Sequence, residues 1–154
     1  MKIFIDTSVF IRHYYGHEIA LKFLDFAINE NKAVISPNVI EELFFKLLYI
    51  ETERIFGKTG RYSVADKFAK YSSEYEPVRI YLKDFILTAL DSDIIEMAGI
   101  TKDITESSVD LAFRYGLLPN DALIAATCRH YGIRKIATFD EDFKRVDFLE
   151  VIEV

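Results

Sequence analysis

The chain has 154 residues, 51% of them apolar, a net charge of -6 and one cysteine. That composition excludes a disordered polymer, a disulfide-stapled mini-protein and a general nucleic-acid coat, which needs a basic excess. No apolar run reaches the roughly 18 residues that span a bilayer, and the N-terminus has no basic, apolar, small-residue signal arrangement. A single domain over residues 1–154 is expected, in the reducing cytoplasm that lone Cys128 suits, with no membrane partner.

In chain order, residues 2–6 read as a buried strand that runs into Asp6, Thr7 and Ser8. Ala20, Phe23, Leu24, Ala27 and Ile28 recur at helical spacing from His17 to Asn29. "AVIS" (33–36) is a short strand closed by Pro37, and Asn38 is placed to cap a helix through "VIEELFFKLLY". Gly57 and Gly60 break the pattern within 51–62, predicting a loop or bent arm. Helix resumes from Ser63 to Tyr75, and Pro77 is expected to end it. "FILTAL" (85–90) suits a third strand, with Asp91 or Ser92 capping a long helix toward Tyr115 and Gly116 stopping it. "PNDALIAATCRHYG" is the next helix, "KIAT" (135–138) a strand, and "LEVIEV" the last strand. Strands alternating with helices predict an α/β fold. Its expected form is a three-layer α/β/α sandwich with a mainly parallel sheet and a helical arm around residues 46–76.

Such a sheet gathers ligands at the carboxyl ends of its strands. Asp6 ends the first strand and Asp140 follows "KIAT". Asp121 opens an otherwise apolar helix, and Glu42 sits beside Leu43, Phe44 and Phe45. Each has a bland reading: a turn partner for Asp6, a helix-dipole partner for Asp121, a solvated charge for Glu42, a cap for Asp140. Together they predict one pocket. Carboxylates crowded together repel and raise one another's pKa, and a hard divalent cation, Mg2+ or Mn2+, relieves that repulsion.

"IFIDTSVFI", "SPNVIEELFF", "LLPNDALIAATCRHYG" and "KIATFDEDF" resemble, in order, the acidic motifs of the PIN-domain nucleases, especially single-domain toxins of the VapC type. The resemblance extends over nearly the whole chain. It implies a Mg2+- or Mn2+-dependent endoribonuclease, the toxin of a toxin–antitoxin pair, commonly a homodimer silenced by its antitoxin. Carried over by motif, Asp6, Glu42, Asp121 and Asp140 are the catalytic and metal-holding set. Glu42 is chosen over Glu41 because Leu43 follows it, and Asp140 over Asp142 because it stands nearer the strand end. Asp142 keeps a water-mediated role, while Asp103 reads as solvated. Thr7, Ser8 and Thr138 are hydroxyls suited to holding carboxylates in place.

Phosphate contacts are expected from Arg12 and from the arm, where Lys46, Arg54, Lys58, Arg61, Lys67 and Lys70 face Glu51, Glu53 and Asp66, six against three. Arg54, Lys58 and Arg61 are its RNA-binding candidates, and Tyr49 and Tyr62 are placed to stack on bases. "LFFKLLYI" carries more apolar surface than one helix face needs, predicting a homodimer contact. Two other readings stay open: a structure-specific DNA nuclease, since acids do not read the sugar, and a catalytically silent RNA- or protein-binding module.

Overall fold

A computed structural model describes residues 1–58 and 60–153; Thr59, in the expected break, and Val154, at the end of the expected last strand, lie outside the described residues. The strands are β1 (Lys2–Ile5), β2 (Lys32–Ile35), β3 (Ile95–Met97), β4 (Lys135–Ala137) and β5 (Glu150–Val151). They form one parallel sheet in the order β3-β2-β1-β4-β5. β1 is central, its Ile3 pairing with Ala33 on one side and Lys135 on the other. Ile3, Phe4 and Ile5 are wholly buried, as a strand covered on both faces requires.

The helices are α1 (Thr7–Tyr14), α2 (Glu18–Asp25), α3 (Pro37–Phe56), α4 (Arg61–Lys70), α5 (Glu76–Ile80), α6 (Thr88–Asp91), α7 (Lys102–Tyr115) and α8 (Pro119–His130). On one side, Val9, Phe10, Phe23, Leu24, Val39 and Leu43 pack on the strands. α8 is apolar nearly all round because it is covered twice. Ile124 and Cys128 join the sheet's core, whereas Ala122, Ala125 and Ala126 pack with Ile104 and Leu111 of α7. This is the expected sandwich.

Several expectations are corrected. "FILTAL" is not a strand: residues 76–91 form one helical run, α5 and α6 joined by a π-helical stretch, Tyr81–Leu87. Val78, Leu82, Ile86 and Ala89 are its buried face, spaced four, four and three apart. A six-residue apolar window cannot separate that period from a buried strand. The third strand is instead Ile95–Met97, and the long helix is capped by Thr101, whose hydroxyl accepts the Ile104 N–H, not by Asp91 or Ser92. Gly116 does end it, in the left-handed region at φ 64°. Pro77 opens α5 instead of ending its predecessor, because its fixed φ suits a first turn. Ser36, not Asn38, occupies the cap position of α3, with Pro37 as the first helical residue. α3 itself runs to Phe56, so the break begins only at Gly57, φ 88°. From there α4 folds back on α3 around Leu48, Val64, Phe68 and Tyr75, making the arm.

Candidate active site

The parallel register delivers Asp6 and Thr138 side by side. Asp6 follows Ile5, which pairs with Ala137, and the Asp6 N–H donates to the Ala137 carbonyl at 3.0 Å. Asp6 caps α1 and is only 4% exposed. Its Oδ2 accepts the Ser8 hydroxyl at 2.6 Å, the Thr138 hydroxyl at 2.8 Å and the Ser8 N–H at 3.3 Å. Oδ1 accepts nothing among the described residues. No buried side-chain oxygen there lacks a partner, so Oδ1 is open to solvent. The two hydroxyls after the strand are therefore brackets. Ser8 holds Asp6, and Thr7 donates to Glu42 Oε2 at 2.7 Å.

Thr138 extends the bracket to the next acid, accepting the Asp140 N–H at 2.9 Å. Asp140 in turn accepts the Asp142 N–H at 2.9 Å, starting a 3-10 turn over Glu141–Arg145. From this turn and the first turn of α8, Asp121, Asp140 and Asp142 each bring one carboxylate oxygen to within 4.8 Å of the others. Asp142 also pairs with Arg145 at 2.5 Å.

Glu42 stands across from this trio with both oxygens engaged. Oε1 pairs with Lys46 at 2.6 Å, and Oε2 accepts from Thr7 and from the Asn120 amide. Asn120 accepts from the Asn38 amide at 2.8 Å, which ties the start of α8 to the start of α3. The electrostatics place Asp121 among the acids. Its pKa is pushed up to about 7, first by burial and then by the charges of Asp6, Asp140 and Glu42, against the pull of Lys46. Burial also lifts Asp6 above the usual carboxylate range, outweighing its hydrogen bonds from Ser8 and Thr138.

All four motif acids thus lie in one charge-coupled pocket, while Asp142, secondary by sequence, stands in the tight trio. Asn120 and Lys46 were missed as site residues. Lys46 lies four residues after Glu42 on one helix, a readable signal; Asn120 had none beyond its place beside Asp121. Arg12 lies with its guanidinium carbon 4.0 Å from the centre of the Phe139 ring, between Thr138 and Asp140 in sequence. His17 and Phe23 brace that ring edge-on. The arm's other cations make separate contacts: Arg54 is held by buried Glu51, Arg61 lies over Phe45, and Lys58 is exposed.

An all-oxygen carboxylate set with a solvent-open Oδ1 on Asp6 and a carboxyl driven toward neutrality at Asp121 fits a hard divalent cation. Removing the repulsion that raises Asp121 requires only positive charge at the centre of the pocket.

Comparison with known proteins gives the family. The PIN domain model matches residues 3–149. The chain is 35% identical over 153 residues to Ribonuclease VapC6 of Methanocaldococcus jannaschii, covering 98% of this chain and 96% of that protein. Ribonuclease VapC2 of the same organism is 35% identical over 163 aligned positions, covering 99% and 94%. Among solved structures, FitAcB from Neisseria gonorrhoeae superposes with a TM-score of 0.64 at 18% identity, over 99% and 97% of the two chains. VapC20 of Mycobacterium tuberculosis, described as a sarcin-ricin loop cleaving toxin, gives 0.61 at 20%, over 97% and 98%. With its motif acids on the matched segments and the match running nearly end to end, the chain belongs to the PIN domain family.

Proposed function

We propose that this chain is a divalent-metal-dependent endoribonuclease, one nuclease domain over residues 1–154, and the toxin of a toxin–antitoxin pair. The observation that carries the chemistry is the acidic cluster built from four separate segments, with Asp121 raised by burial and then by its neighbours' charges. The names of the two Methanocaldococcus relatives support the substrate, and the description of VapC20 as a toxin supports the biological setting.

Asp121, Asp140 and Asp6, through its open Oδ1, would hold Mg2+ or Mn2+, and Asp142 would contribute directly or through water. Bound there, the ion would supply a water of lowered pKa and a positive charge to offset the negative charge growing on the phosphoryl group. Ser8 and Thr138 fix the Asp6 carboxylate so that it does not reorganise when charge develops. Glu42, with both oxygens occupied, serves as an electrostatic and orienting wall. Lys46 neutralises Glu42 and offsets only part of the rise at Asp121. Arg12, its guanidinium over the Phe139 ring, is a candidate for an RNA phosphate, and Lys58 and Arg61 would extend that contact into the arm.

A homodimer contact is assigned to the outer face of α3, where Phe44 and Phe45 are 40% and 37% exposed. The antitoxin would reach the carboxylates with a cationic side chain. No described helix is long and apolar enough to cross a membrane, and the proposed location is the cytoplasm.

The test is cleavage of single-stranded and structured RNA and DNA by purified protein with Mg2+, Mn2+ or chelator, beside Asp6→Asn. Metal-dependent cutting of RNA that the substitution abolishes is expected. Activity surviving both chelator and Asp6→Asn would reject the mechanism, and preferential cutting of DNA would replace the substrate.

A further inference from the structure

We propose a second ligand site, outside the acidic pocket: a pocket walled by Arg114, Arg129, Arg134, Tyr115 and Phe148 that binds one nucleotide unit, a phosphate with its base. The cavity holds about 550 Å³ and lies between the last turn of α7, the end of α8 with the turn into β4, and the Asp147–Phe148 segment before β5. That volume is within the range of small-molecule sites, roughly 300–1,000 Å³. Gly132 lies at its edge with φ +67°, and a Cβ there would meet nothing within 4 Å.

The charge of this pocket runs against that of the molecule. Three arginines and one acid line it in a chain of net charge -6. Its acid is already occupied: Asp147 accepts the Tyr115 hydroxyl at 2.6 Å through Oδ1 and meets Arg114 at 3.5 Å through Oδ2. Arg129 and Arg134 line the cavity and form no ion pair among the described residues, so two of its guanidinium groups lack a paired carboxylate. A free guanidinium fork matches a phosphate, to which it can donate two parallel hydrogen bonds.

Aromatic surface selects among anions. Tyr115 and Phe148 stand with ring centres 6.2 Å apart at 72°. The Arg114 guanidinium lies 5.2 Å from the Tyr115 ring centre, and that of Arg129 lies 5.9 Å from Phe148. Half-buried aromatic rings lining the cavity beside Arg129 and Arg134 suit a base carried on a phosphate, because every base offers a face for stacking. Bare phosphate or a carboxylate-rich peptide would leave those rings unused.

The nucleotide has two sources, free in solution or within an RNA strand; the second rests on the ribonuclease reading. At 1.5 Å per residue, Arg129 is about 12 Å along α8 from Asp121, so a strand seated here is held beyond the bond being cut.

The test compares the full chain with the doubly substituted Arg129→Gln, Arg134→Gln form, both checked for folding by circular dichroism. Metal-free protein is titrated with a nucleoside 5′-monophosphate, inorganic phosphate, an acidic peptide and long single-stranded RNA. Tighter binding of the nucleotide than of phosphate or peptide, weakened at least tenfold by the double substitution, is expected. If the occupant is a strand, RNA affinity falls too, and its log–log salt slope shrinks by about 0.7, for the one phosphate seated in the pocket. If only the free nucleotide loses affinity, the occupant is the free nucleotide. Unchanged nucleotide and RNA binding, or phosphate and peptide binding as tightly as the nucleotide, overturns the proposal. Native protein that binds nucleotide here yet cuts no RNA with any divalent ion would end the ribonuclease reading and leave this pocket standing.

Discussion

Asp121 carries a proton at a pH where an ordinary aspartate has none, and this has a measurable consequence for stability. Its pKa in the folded protein, about 7, lies above the usual 3.8 that the unfolded chain retains. Between those values the folded state binds more protons than the unfolded one, so the contribution of Asp121 to metal-free stability is full below about pH 4 and is lost as pH rises through 7. Denaturant titrations in chelator should show that decline. Asp121→Asn should flatten it and raise metal-free stability at pH 8, and Mg2+ should restore stability to the native protein alone. A native protein that gains stability from pH 4 to 7 without metal would contradict the coupling. Thr138 is the second test at this scale, because it serves two acids at once. Thr138→Val leaves the Asp140 N–H without its acceptor, a loss of about 1–3 kcal/mol in denaturant unfolding. Cleavage should fall about 10–100-fold from the loosened Asp6.

Whole elements obey their period more strictly than their composition. The helical run over 76–91 buries Ile86 almost completely while Leu87 beside it is 39% exposed. Ile86→Ala should therefore cost about 2–5 kcal/mol and Leu87→Ala about 0.5, measured as shifts in denaturation midpoint. Comparable losses at both positions would contradict the helix. Here the sequence was legible only in a window long enough to hold three turns; "FILTAL" alone carries no period. The true β3 has three residues and pairs along one edge only, so it offers almost no pattern to read. By contrast, β1, β2, β4 and α8 were legible because each is an apolar run ended by a residue with one conformational job, such as Pro37 or Gly132. The arm shows a different limit. Arg54 looked like a free cation, but Glu51, buried against α1 and hydrogen-bonded by Tyr15, holds it. Its replacement would strand a buried carboxylate, so a loss of RNA binding in an Arg54 variant would report folding and not contact.

For the molecule as a whole, the net charge of -6 sets the terms on which it meets a polyanion. The four motif acids were readable one by one as strand and helix ends; their coupling was not, since it depends on the β1–β4 register and on Asn120 linking α3 to α8. That coupling makes the acidic cluster repel phosphate until cations enter it, while the proposed contacts Arg12, Lys58 and Arg61 would attract it from outside. Binding and cutting therefore draw on different charges and should separate. Asp140→Asn removes one inner charge and one of the close trio of carboxylates. In chelator it should bind single-stranded RNA more tightly than the native protein. With Mg2+ its cleavage should drop by at least 100-fold, because the ion loses a ligand. Paired replacement of Lys58 and Arg61 by Gln should do the reverse, weakening RNA binding and reducing its salt slope by about 1.4 while cleavage at saturating RNA holds. Filter binding across a salt series, run beside single-turnover cleavage, separates the two. If Asp140→Asn instead weakened metal-free binding, the acids would be holding RNA through protein donors, and the repulsive pocket inferred from Asp121 would be wrong.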